Sequence, residues 1–89
     1  MPKLVYTDSF AEGYLTVELE SKRAEIIESI ERLASLPVIG SRNLPASIEK
    51  AYGDHVRKLV VKPFDVIYEY DEDADEIRIL GIIHAKQAW

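Results

Sequence analysis

The side chains best suited to chemistry gather near the end of the chain, in the run His84, Ala85, Lys86, Gln87, Ala88, Trp89. Histidine as a residue type has an unperturbed pKa nearer neutrality than any other side chain, which makes His84 the natural proton donor or acceptor. Lys86 lies two residues on, and a continuing strand sets both on one face. Lys58 and Lys62 share a face of an upstream strand in the same way and add two cations. Trp89 offers a flat ring for stacking. Plainer readings stand beside these. A histidine at a strand end is commonly a hydrogen-bonded surface residue, and a last-position tryptophan packs on a sheet edge, in the free protein or against a partner. His55 reads as solvent-facing, and Arg57, in step with Leu59 and Val61, as a semi-buried arginine paired with an Asp or Glu.

The elements that must position these residues are legible in outline. Leu4, Val5 and Tyr6 read as a short strand, and Thr7, Asp8 and Ser9 supply oxygens to cap a helix starting near Phe10. Gly13 disfavours that helix by about 1 kcal/mol relative to Ala, and Tyr14, Leu15, Val17 and Leu19 make no clean stripe. Ser21 caps a second helix, in which Ile26, Ile27, Ile30, Leu33 and Ala34 recur at helical spacing between charged residues. It stops near Leu36, because Pro37 disfavours helical geometry in the residue before it.

Gly40, Ser41, Asn43, Pro45, Ala46 and Ser47 mark an ordered surface connection with short helical turns, and Tyr52-Gly53-Asp54 reads as the turn that launches a sheet. A strand from Val56 to Lys62 meets a hairpin at Pro63. Phe64, Val66, Tyr68 and Tyr70 then alternate with Asp65, Ile67, Glu69 and Asp71, so the aromatic and aliphatic set is expected to face the helices. Ile77, Ile79 and Ile83 are expected to join it from the last strand.

Composition bounds the function. The chain has 89 residues, room for one domain with a small core, and its lack of cysteine removes disulfides and thiolate zinc sites. A partner chain is therefore a natural source of stability. The net charge of -5 argues against a protein that grips nucleic acid through a basic field. That excess is local: Asp71, Glu72, Asp73, Asp75 and Glu76 fall in one short run, and the remaining acids balance the 11 bases. The run reads as a solvated hairpin turn; it lacks the glycine and distal Glu of a calcium loop, so no metal or cofactor is assigned. No apolar stretch is long enough to span a bilayer, and Met1-Pro2-Lys3 leads directly into a strand, so a cytoplasmic location is expected.

The string Val56-Arg57-Lys58-Leu59-Val60-Val61-Lys62-Pro63-Phe64-Asp65-Val66-Ile67-Tyr68, an acidic turn, a last apolar strand and His84-Ala85-Lys86 resemble the C-terminal half of the RelE/ParE superfamily of bacterial toxins. Asp8-Ser9-Phe10, the two helices, Leu33-Ala34-Ser35-Leu36-Pro37 and the Pro- and Gly-bearing connection follow in that family's order. The resemblance implies an α+β domain over residues 1–89: two N-terminal helices packed on one face of a small, mainly antiparallel four-stranded sheet in the order β-α-α-β-β-β. The other face is then the functional and antitoxin-facing surface.

It also implies the toxin of a type II toxin-antitoxin (plasmid stabilisation) module, neutralised by a cognate antitoxin. RelE-like members cleave mRNA, usually on the ribosome, and ParE-like members poison DNA gyrase; a shared fold does not choose between them. Cleavage by 2′-hydroxyl attack on the adjacent phosphate needs a base, an acid and cations, for which His84 would move protons, Lys58, Lys62 and Lys86 would contact phosphate, and Trp89 would stack a base. The family's usual basic set is thinned here: Asp65 stands where many members have Arg, Val60 where RelE-like enzymes tend to be basic, and His84-Ala85 replaces the commoner His-Arg. With the acidic net charge, this favours a ParE-like toxin acting by protein contact, with a RelE-like endoribonuclease and an inactive partner-binding relative as alternatives. A homodimer is a further expectation, since small sheets expose edges that invite another chain.

Overall fold

A computed structural model describes residues 1–84. Strand β1 (Lys3–Tyr6) leads into helices α1 (Asp8–Leu15) and α2 (Glu20–Glu31), the latter extended by a 3-10 turn over Arg32–Ala34. A connection carrying helix α3 (Ala46–Tyr52) leads to strands β2 (Arg57–Val61), β3 (Phe64–Asp71) and β4 (Glu76–His84). The sheet order is β1-β4-β3-β2, with β1 parallel to β4 and the other pairs antiparallel. The fold is the expected α+β arrangement, with a third helix in what the sequence gives as a surface connection. No helix among the described residues is long and apolar enough to cross a membrane.

Local chemistry explains the helix ends. Of the three expected caps Thr7 is the one used, and α1 starts at Asp8, ahead of the expected start near Phe10. The Thr7 hydroxyl accepts from the Phe10 N–H at 3.3 Å and donates to the Ile79 carbonyl at 2.7 Å, so the same oxygen caps α1 and ties it to β4. The expected Ser21 cap is not used: α2 starts at Glu20 behind Leu19, which gives no side-chain cap. Gly13, unfavourable for helix by propensity, is explained by packing. A Cβ there would collide with the Ile82 side chain, so α1 closes directly onto β4.

The core lies mainly between α1, α2 and one sheet face, where Phe10, Ile26, Ile30 and Leu33 meet Val61, Val66, Tyr68, Ile77 and Ile79. The second face is not left open. Ile48 of α3 packs with Val56 and Ile67, joined by Leu44, Tyr52, Leu80 and Ile83. That corrects the expectation of one wholly functional face, because α3 covers part of it. Ile83 is also corrected, to the α3 side. A register shift opposite Ile67/Tyr68 leaves Leu80 without a cross-strand partner, so Leu80 and Gly81 both face α3 and the alternation restarts out of phase. Ile82 and His84 thereby turn toward α1 and α2.

Candidate functional site

The bulge decides where His84 points. It pairs with Phe64 across β3 and β4, and its ring meets the Phe64 ring edge-on, centroids 5.6 Å apart at 75°. Both rings line a cleft of about 500 Å³ between the sheet end and the α1–α2 connection, whose wall includes Gly13, Thr16, Val17, Leu19, Pro63 and Ile82. The Arg23 guanidinium donates to the Val17 carbonyl and fixes that connection; the Thr16 hydroxyl donates to the Gly13 carbonyl at 2.6 Å. The wall is largely apolar, and Leu19 stands 67% exposed at it. Its charged members are Glu18 and Lys22, the latter donating to Glu25 Oε1 at 2.7 Å.

The sheet separates the other candidates from this cleft. Lys58 pairs with Ile67 and so lies on the α3 face, opposite His84. Its main chain exchanges two hydrogen bonds with Ser41, of 2.8 and 2.9 Å. Lys62 is exposed in the turn beyond β2, at the same sheet end as His84, and the strand stops at Val61, so it does not extend the Lys58 face. Asp65 pairs with Val60 and Ile83 and is 4% exposed on the α3 side, so this acid is not presented to His84. Lys58, Asp65 and His84 each have an interaction partner. Lys86 and Trp89 lie outside the described residues.

Three further residues differ from or extend the sequence reading. Arg57 is half-buried as expected, but its guanidinium donates to the carbonyls of Gly40 at 3.0 Å and Val38 at 3.4 Å, not to a carboxylate. Tyr68 is fully buried; its hydroxyl donates to the Pro37 carbonyl at 3.0 Å and accepts the Gly40 N–H at 2.9 Å. Burial pushes its phenol above the ordinary value, partly offset by the Gly40 hydrogen bond and by Arg57. Arg78, read only as part of the last strand, draws together Glu69 and Asp71 at 3.0 Å each and Glu76 at 3.6 Å. The Ala74 N–H and Arg78 together hold the Asp71 carboxyl below its usual range. No group of three or more His, Cys, Asp or Glu among the described residues is gathered as a metal ion requires.

Lys22 is the cleft residue that sequence reasoning passed over. It reads as one charge on the solvated side of α2, and only the packing of the α1–α2 connection against β4 brings it to the wall of the cleft that His84 also lines. That is a long-range placement with no local signature.

Comparison with known proteins agrees with the order of these elements. The family model described as ParE toxin of type II toxin-antitoxin system, parDE, matches residues 14–89, from the end of α1 through β2, β3 and β4 and leaving β1 outside. No curated protein matches the chain. A match that takes in α2, α3 and three of the four strands, well over half of the chain, places this chain in the ParE toxin family of type II toxin-antitoxin systems.

Proposed function

We propose that this toxin arrests growth by protein contact, with DNA gyrase as its candidate target, and that its cognate antitoxin neutralises it by covering the contact surface. The supporting observation is the cleft at His84. Its wall is made chiefly by Val17, Leu19, Pro63, Phe64 and Ile82, while Lys58 lies on the far side of the sheet. An apolar cleft with exposed Leu19 suits a protein side chain; phosphate contact calls for converging cations. His84 serves there as an aromatic and polar part of the wall.

The test is DNA supercoiling by gyrase in the presence of purified protein. Wild type is expected to inhibit. Leu19→Asp should weaken inhibition by roughly tenfold or more by placing a charge in the contact. Leu19 is the N-cap of α2, a position where Asp is favourable, so the fold is kept. Normal supercoiling at molar excess of wild type would remove gyrase as the target.

One observation favours a second reading, the RelE-like ribonuclease. Lys22 lines the cleft with His84, and Lys62 lies at the same sheet end, so two cations replace the distant Lys58. In that reading His84 transfers the proton, Lys22 and Lys62 contact phosphate, and Lys86 and Trp89 act as the sequence suggests.

A further inference from the structure

Val38 and Ile39 are 55% and 57% exposed, yet the loop that carries them is held from beneath. Tyr68 bonds Pro37 and Gly40, and Arg57 bonds Val38 and Gly40, so four contacts on the main chain fix the loop. Two apolar side chains are thus presented with little left to order on contact. Beside them, Val38, Arg42, Arg57, His55, Tyr70 and Glu72 line a shallow concavity of about 200 Å³.

The charges around this patch are unmatched among the described residues. Arg42 and Arg57 donate to main-chain carbonyls, and neither forms an ion pair among the described residues. Glu72 and Asp73 are exposed at its other border and form none among the described residues either; Arg78 takes Asp71, and Asp75 accepts from Tyr70 at 3.5 Å. Cations and anions therefore flank one apolar centre without neutralising each other.

We propose that this patch is a two-fold interface with a second copy of the same chain. Val38 and Ile39 of the two copies meet at the centre, and Arg42 and Arg57 of each face Glu72 and Asp73 of the other. A two-fold contact uses one surface twice, so it requires residues of both signs on that surface. A uniformly acidic partner is repelled by Glu72 and Asp73, and a uniformly basic one by Arg42 and Arg57; a second copy satisfies both.

Sedimentation of the full chain over a concentration series tests this. Wild type is expected to self-associate reversibly. Arg42→Glu and Glu72→Arg alone should each raise the dissociation constant by roughly tenfold or more, since each sets like charges face to face at two places. An equimolar mixture of the two variants should associate again as a heterodimer, and the doubly reversed chain as a homodimer. Ile39→Asp should leave monomers, with circular dichroism confirming the fold. Wild type that stays monomeric throughout, single reversals without effect, or failure of the mixture to associate would each overturn the interface. A monomeric wild type whose antitoxin complex is weakened by Ile39→Asp would overturn it too and give the patch to the antitoxin.

Discussion

Tyr68 shows how much structure one buried polar atom can specify. Its hydroxyl satisfies the Gly40 N–H and the Pro37 carbonyl at once, and so joins the centre of β3 to a loop 28 residues away in sequence. Tyr68→Phe keeps the ring and removes both bonds, leaving a buried N–H without a partner. The expected loss is about 1–3 kcal/mol, read from urea unfolding. Alkaline pH supplies a second readout. The folded phenol titrates above its ordinary value of 10.0, so the stability it contributes is complete below that pH and declines as pH rises through the folded value. The Phe variant, with no phenol to ionise, should show a smaller decline above pH 10.0. Alternation along β3 placed this ring in the core from sequence alone. Its partners were not legible, because nothing near Tyr68 in the chain points to Pro37 or Gly40.

At the scale of elements, α2 and the central hairpin were the most legible parts. Ile26, Ile30 and Leu33 are all fully buried, as their spacing requires, and Val66, Tyr68, Ile77 and Ile79 fill the face opposite them. Gly13 and Leu80 were not legible, for one reason: each is set by contact between distant segments. Gly13 reads as a weak point in α1 and is instead the place where α1 meets Ile82. Gly13→Ala should therefore destabilise the protein by about 1–2 kcal/mol despite alanine's helix preference, since overpacking outweighs the propensity gain. Adding Ile82→Val, which trims the opposing side chain, should recover part of that loss; thermal unfolding of the single and double variants checks both. Leu80 has no local mark of a bulge, yet it moves Ile83 to the α3 side and turns His84 into the cleft. Strict alternation therefore misplaces the end of β4. The third helix was legible only as a short helical turn for a related reason: Ala46–Tyr52 has little periodic signal, and the apolar surface of Ile67 and Ile83 holds Ile48 against the sheet.

The whole molecule combines an acidic chain with surfaces on which charge is sorted by place. The acids of the β3–β4 turn are partly gathered by Arg78, Arg42 and Arg57 lie beside the exposed Val38 and Ile39, and the His84 cleft is mostly apolar. The candidate residues His84 and Lys58 could be named from sequence, but their separation by the sheet depends on register, which composition and spacing do not carry. The same register puts Asp65 on the face away from His84, so the case for a contact toxin rests on the apolar wall of the cleft and the scatter of its cations. Mapping of cellular RNA 5′ ends during growth arrest, compared between wild type and His84→Ala, tests this most directly. The expected result is arrest by wild type with no new cleavage sites in either sample. Defined sites that appear with wild type and vanish with His84→Ala would contradict it.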